Sequence, residues 1–484
     1  MLNLTPFFPS LRPSLAPAGR RTAKASRSVL ALTLCRLEER FARVLPDSLF
    51  AHGGQRRRLY SISRTFWSFL FQILHPGTSC REVVRQVQAL HRLHDRGRVS
   101  SSDSAYCQAR LRLPQTIVDK ALIATGQAVE QAAPVADPKF LQGRSIKVVD
   151  GSSVTLPDSL SNRKAYPKVQ IKDGTGFPML RVLVFFCLAS GALVARLTGS
   201  LRMGELRLFE QLITQLARND IVLGDRAYGH YIVIHLLKRL GLGLDLIARS
   251  GRKVDGRKHK TRLGRNDWLL HWKQGCVRST LFSAEQWKAV PLQLTVRILR
   301  GSLWRPGFRV RQVTLVTTLL DPKLYPAQQI LEAYLRRWSL ELCFDDLKTT
   351  LQMEMLSCQS PAMVRKELDI HLIAYNLIRL VAAHAAREHA VAIATISFKG
   401  TLDALRHFCH AISRVRRKRK KLQLWEELLR TLVEDALPYR PNRREPRAVK
   451  KQKNKYDRLN CPRHLFRDSP KSHKSKPAPR LGLN

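Results

Sequence analysis

The order of apolar and polar positions divides the chain into stretches of different character. From residue 29 to about 133 the apolar side chains recur at helical spacing, as at Val83, Val84, Val87 and Leu90. A shorter helix over residues 103–113 stops at Pro114, with Arg110 and Arg112 projecting from it. The rhythm then changes. Residues 145–150 form a β-branched run ending in Asp150, and residues 180–188 form a longer apolar run. After the turn signal Ser190-Gly191, residues 192–197 return as the partner of a hairpin. Helical spacing over 205–216 precedes a buried strand over 221–225, which again ends in an acid, Asp225. A helix over 230–240 and a strand over 242–248 follow. Residues 250–325 break this pattern with a basic, glycine-bearing segment and alternating runs at 292–299 and 308–319, a mostly β insertion. Pro322 and Pro326 then introduce one long helix over 327–355, and residues 364–386 give a further apolar helix. Residues 1–28 and those after 440 carry too few apolar side chains to pack and read as disordered.

Hydrophobic content, at 44%, is that of an ordinary globular protein, so charge changes the picture more. Eighty-four Lys and Arg against 37 Asp and Glu leave a net charge of +47, a field that attracts a polyanion. Nucleic acid is the leading partner, ahead of a ribosome-bound or membrane-surface role, and charge alone does not choose between DNA and RNA. Residues 440–484 hold 15 basic and 3 acidic side chains, and a second cluster spans Arg414, Arg416, Arg417, Lys418, Arg419, Lys420 and Lys421. Cations this dense gain affinity for phosphates through counterion release. The nine cysteines are scattered, odd in number and without a CxxC pair, which points to reduced thiols in a cytoplasmic compartment. His407, Cys409 and His410 lack the partner pair that a zinc site needs. No apolar run approaches the roughly 20 residues of a membrane span, so no membrane partner is expected. The acid-free segment before Glu38 reads as a disordered basic extension, with a transit peptide as the alternative.

Candidate chemistry concentrates in the long helix. Tyr334, Arg337, Glu341 and Lys348 are spaced by three, four and seven residues, which sets them on one helical stripe at about 100° per residue. Leu340, Phe344, Leu347 and Leu351 form an apolar stripe beside it. Such a helix packs on one side and presents a carboxylate, two cations and a phenol on the adjacent one.

The spacing Tyr-x2-Arg-x3-Glu-x6-Lys resembles the signature of bacterial insertion-sequence transposases of family four, which are DDE enzymes. Val148-Val149-Asp150-Gly151-Ser152 resembles the segment that carries the family's first catalytic acid, and Gly224-Asp225-Arg226-Ala227-Tyr228 the segment that carries the second. Ser104–Arg110 with Leu113-Pro114 is similar to its N-terminal region, and residues 443–450 to its basic tail. The resemblance spans roughly residues 80–465 with every motif in order. It implies a ribonuclease-H-like α/β catalytic core, matching the strand–helix order above, in which Asp150, Asp225 and Glu341 are the catalytic acids. The same three would hold Mg²⁺ or Mn²⁺, two ions set about 3.5–4 Å apart. It further implies phosphate contacts from Tyr334, Arg337 and Lys348, with Arg110 and Arg226 as further DNA contacts, and double-stranded DNA (terminal inverted repeats and target) as partner to a homodimer on paired ends. A bacterial, nucleoid-associated location in the cytoplasm follows.

The resulting division is 1–28 basic extension, 29–142 helical DNA-binding domain, 143–249 first part of the core, 250–325 insertion, 326–395 second part of the core, and 396–484 helical and basic C-terminal region. Relatives in this class push an aromatic side chain from the insertion against a flipped base. Trp268, Trp272, Trp287 and Trp304 lie there, and Trp304, next to Arg305, is the choice made among them. Each acid also has a plainer reading: Asp150 as a turn residue, Asp225 as a helix cap, Glu341 as an ion-pair partner of Arg337. Asp345, one turn beyond Glu341, is the alternative third acid. A related endonuclease without strand transfer, or a domesticated DNA-binding protein, would share most of these features.

Overall fold

In the computed structural model of the chain, the described residues are 41–51, 58–93, 97–134, 137–167, 176–250, 260–303, 311–415 and 417–436. The basic extension, the tail beyond 436, the segment 251–259 and Trp304 lie outside them. The helical region supplies α1 (Ile62–Leu74), α2 (Cys80–Leu93), α3 (Ser104–Arg112) and α4 (Gln115–Ala132). Ser61 starts α1 by accepting from the Arg64 N–H at 3.2 Å, and Pro114 both ends α3 and caps α4.

The rest is a mixed α/β assembly on one nine-stranded sheet of order β3-β2-β1-β4-β5-β9-β8-β7-β6. The strands are β1 (Ile146–Thr155), β2 (Met179–Cys187), β3 (Leu193–Ser200), β4 (Ile221–Gly224), β5 (Asp245–Arg249), β6 (Lys260–Gly264), β7 (Asp267–Lys273), β8 (Gln293–Leu303) and β9 (Arg311–Thr317). β1, β4 and β5 are parallel, β2 is antiparallel to β1, and β3 is antiparallel to β2 and so runs with β1. The mostly β insertion does not fold apart. β9 pairs with β5 and extends the same sheet. A short helix in it, α8 (Ala284–Lys288), opens on a capping box of Ser283 and Gln286.

Strand alternation sends successive side chains to two cores. Val148, Val182, Val184, Phe186 and Leu223 face one core. Val149, Leu183, Phe185, Val222 and Leu246 face the other. A short helix, α5 (Leu160–Ala165), follows β1, and helices α6 (Glu205–Leu212) and α7 (Tyr231–Arg239) cover the second core. The first is covered by α4, by α9 (Ala327–Arg336) and α10 (Trp338–Asp345), and by the 28-residue α11 (Pro361–Glu388), which begins with proline in its first turn and is buried on nearly every side. Two polar side chains that α11 carries inward, Asp369 and Asn376, are matched. Asp369, fully buried, takes Arg196 of β3 in two bonds of 2.6 and 2.7 Å, and Asn376 accepts from Leu193 N–H at 3.0 Å while donating to its carbonyl at 2.9 Å. Helices α12 (Phe398–Arg414) and α13 (Lys418–Glu434) follow. Among the described residues no helix is long and apolar enough to cross a membrane.

Two expectations are corrected. β1 does not end at Asp150. It continues through Gly151-Ser152-Ser153 to Thr155, because β2 pairs with it over that whole length, Asp150 facing Val184 and Thr155 facing Met179. The single helix expected over 327–355 is instead α9, α10 and a π-helical turn over Asp346–Thr350. Arg337 joins the first two with helical torsions (φ −52°, ψ −37°), so the path runs on while the hydrogen-bond ladder is interrupted. The segment after the π turn returns to β1. Thr155 N–H donates to Glu354 O at 3.0 Å, and Leu356 N–H donates to Thr155 O at 3.0 Å.

Candidate active site

The two strand-borne acids come together through strand register. β1 and β4 pair with Ile146 opposite Ile221 and Val148 opposite Leu223. Two further residues along each chain lead to Asp150 and Asp225, on the face that Val148 and Leu223 share. Parallel strands lie roughly 4.8 Å apart, which brings the ends that bear the two acids side by side. Asp225 sits just beyond β4 in a tight turn. Its Oδ1 accepts from Ala227 N–H at 2.7 Å and its carbonyl from Tyr228 N–H at 3.3 Å. One carboxylate oxygen thus holds the turn and the other is left to the site. Asp150 Oδ1 accepts from Gly151 N–H at 2.9 Å.

Helix α10 lies over this pair. Phe344 meets Phe186 of β2 edge to face at 5.5 Å, and Leu347 and Leu351 are buried, as the apolar stripe requires. The buried Cys343 thiol is pushed up chiefly by burial, with Arg379 and a Tyr375 hydrogen bond opposing and with Asp346 and Asp150 adding their charge. That places Asp150 beneath α10. Glu341 belongs to α10, and its side chain lies outside the described residues, as does that of Leu340. Among the described side chains no group of three His, Cys, Asp or Glu is assembled as a metal cluster. The donors at hand, Asp150 and Asp225, are oxygens, the kind that a hard divalent ion takes.

The signature cations and phenol do not form an open stripe. Tyr334 is 3% exposed and Arg337 9%. The Tyr334 hydroxyl is pushed up by burial, opposed by the charge and hydrogen bond of Arg337 and by Arg249, and raised again by Asp225. Tyr334, Arg337, Arg249 and Asp225 are therefore neighbours in a wall of the site. Two of the signature residues are buried because α9 packs into the first core. Lys348 is half-buried in the π turn, where the wider winding takes it off the phase of a regular α-helix, and Asp345 is exposed. Arg226 is exposed beside Asp225. Arg110 does not project as expected. Its guanidinium lies 4.9 Å from the Phe69 ring centroid and 5.3 Å from that of Tyr106, half-buried at a cavity between α1, α3 and α11, while Arg112 is exposed.

Three groups near the acids escaped the sequence reading. Arg249 ends β5, far from any motif. Glu205 and Tyr228 meet behind the acids, where the Tyr228 hydroxyl donates to Glu205 Oε1 at 2.5 Å. Tyr228 stands within the recognised second motif, which could have drawn attention to it, whereas Glu205 carries no local signal.

With this geometry in place, comparison with known proteins is decisive. The profile described as "Transposase DDE domain" matches residues 141–377, which include Asp150, Asp225 and Glu341. The chain is a transposase of the DDE class. Within that class it is similar to an insertion-sequence transposase: over 416 residues it is 26% identical to the transposase InsG for insertion sequence element IS4 of Escherichia coli (strain K12), covering 83% of this chain and 88% of that protein. A piggyBac transposase, solved by cryo-EM as a synaptic complex with hairpin DNA, aligns at 10% identity and a TM-score of 0.37, over 86% of this chain and 85% of its own.

Proposed function

We propose that the protein cuts DNA at the ends of its insertion sequence and joins those ends to target DNA, with Asp150, Asp225 and Glu341 as the catalytic acids. The observation that carries this is the register of β1 and β4, which brings two acids distant in sequence to one face beneath the helix that bears the third. In this reading β1–β5 with α6, α7, α10 and α11 form a ribonuclease-H-like core spanning the divisions 143–249 and 326–395. The insertion 250–325 enlarges its sheet, and residues 29–142 and 396–484 serve DNA binding.

Two Mg²⁺ or Mn²⁺ ions bound by these acids would activate the attacking oxygen and neutralise the phosphate. The protein's own part is to fix the donors. The Ala227 N–H holds one oxygen of Asp225 and so aims the other. Tyr334 and Arg337, packed in the wall beside Asp225, support its charge, while Lys348 and the exposed Arg226 would take phosphate oxygens. Hydrolysis adds water across a phosphodiester and frees a 3′-hydroxyl. That hydroxyl then attacks a target phosphodiester, forming one P–O bond as another breaks. The partners are double-stranded DNA and a second copy of the chain on paired ends, in a nucleoid-associated, cytoplasmic setting.

The test is cleavage of a plasmid carrying the reading frame with its native flanks. Asp150→Asn, Asp225→Asn and Glu341→Gln each abolish cutting and leave mobility-shift binding to the flanks largely intact. Residual cutting in all three variants refutes the assignment. Release of ends without joining would favour the endonuclease reading.

A further inference from the structure

On the far side of the sheet from the substrate, a second set of side chains converges behind the acids. Tyr228, three residues after Asp225, turns back under β4 and is 2% exposed. Its ring packs on Phe209 of α6 at 5.1 Å between centroids, and its hydroxyl donates to Glu205, the first residue of α6. Both strands make room for this contact. A Cβ on Gly224 would stand 2.6 Å from Tyr228 Cβ, and one on Gly151 would stand 3.3 Å from Glu205 Oε1. The residue before Asp225 and the residue after Asp150 are thus glycines where the clasp passes. The charges agree. Burial pushes the Tyr228 hydroxyl up, followed by Glu205, and Asp225 and Asp150 both add to it.

We propose that Glu205 is a positioning residue for the reaction: through the Tyr228 hydroxyl it fixes the height of the Asp225 turn relative to Asp150, and so sets the spacing of the two carboxylates that hold the divalent ions. This rests on the assignment of Asp150 and Asp225 proposed above. Loss of the Tyr228 contact would let the 225–228 turn, which follows directly on β4, shift relative to β1. Glu205 Oε1 accepts from the phenol on the face of the second core, away from α10, so the residue acts as an orienting group and not as an ion ligand.

The experiment follows Mn²⁺ binding to the full-length protein by loss of the aqua-ion EPR signal, with thermal melts in the absence of metal and the plasmid cleavage assay alongside. Glu205→Ala and Tyr228→Phe should each weaken Mn²⁺ binding about tenfold and raise the Mn²⁺ needed for half-maximal cutting to the same degree. The double variant should be no worse than either single one, since one contact is lost in each. Glu205→Gln, whose amide oxygen still accepts from the phenol, should restore binding to within about threefold of the parent. Unchanged Mn²⁺ affinity in folded Glu205→Ala and Tyr228→Phe overturns the proposal, even if their melting temperatures fall. Failure of Glu205→Gln to rescue also overturns it, because the charge and not the hydrogen bond would then be acting. Asp225→Asn separates the two levels. If it still binds Mn²⁺ and cuts, the acid assignment has failed; if it loses both while Glu205→Ala does not, only the clasp has.

Discussion

Gly229→Ala should disable the site by moving the Asp225 turn with no change of charge. A Cβ at this position would stand 1.9 Å from the Arg249 carbonyl oxygen and 2.8 Å from its carbon, and both are backbone atoms at the end of β5. An ordinary carbon–oxygen contact is about 3.3 Å, so the turn or the strand end must retreat by roughly 1–1.5 Å in a close-packed region. The turn runs from Asp225 to Tyr228, and Gly229 N–H itself bonds Arg226 O at 3.4 Å, so the displacement is delivered to the carboxylate. A misplacement near 1 Å costs about 10²-fold in rate, and overpacking costs about 1–3 kcal/mol of stability. The assay is single-turnover cleavage of the flank-bearing plasmid at saturating Mn²⁺, normalised to the folded fraction from a urea melt. Gly97→Ala, where an added methyl meets nothing within 4 Å, is the control and should match the parent. If folded Gly229→Ala cuts at the parent's rate, the turn does not set the position of Asp225, and the geometric reading of the site fails.

Other outcomes follow from the same structure. Arg196→Met strands the fully buried Asp369, which Arg196 holds in two bonds, and should cost about 3–5 kcal/mol in chemical denaturation; a loss below about 1 kcal/mol would mean the pair is not buried as described. The Asp346 carboxyl is pushed up to about 7 by burial, with Arg379 opposing and Asp345 adding. An acid raised in the folded state contributes stability in full below its ordinary value near 3.8, and that contribution fades as pH rises through about 7. Asp346→Asn should therefore flatten the stability profile between about pH 4 and pH 7 and exceed the parent at about pH 8; parallel profiles would refute this. Removing residues 440–484, with their 15 basic and 3 acidic side chains, should weaken binding to unrelated DNA and flatten its dependence on salt, and an unchanged slope would show that the segment does not touch phosphates.

What could be read from the chain was what depends on buried periodicity. The runs at 180–188 and 221–225 became β2 and β4 because nearly continuous apolar runs suit strands covered on both faces, and β1 to β5 follow in the order read from the chain, although the short helix over Leu160–Ala165 between β1 and β2 was not foreseen. β7 was missed. In Asp267–Lys273 the side chains at Trp268, Leu269, Leu270 and Trp272 are all half-buried, so no clean alternation marks the strand. Gly151-Ser152-Ser153 looks like a turn, and only pairing with β2 keeps it extended. The exposure of Tyr334 and Arg337 was misjudged because a helical stripe gives an angle and not what lies across from it. Arg249 and Glu205 were out of reach for a simpler reason: each touches its partner only after the sheet has formed. The charges that flank a site are set by tertiary neighbours, while its acids can be announced by local motifs.

The stitching of the 354–356 segment to Thr155 has a mechanical corollary. It moors the downstream end of the signature region to the strand that carries Asp150, and the ladder is already interrupted at Arg337 on the upstream side. Any swing of this region must pivot near Arg337, so the helix that bears Glu341 would move as a short lever held at its downstream end, by a small rotation instead of a long excursion.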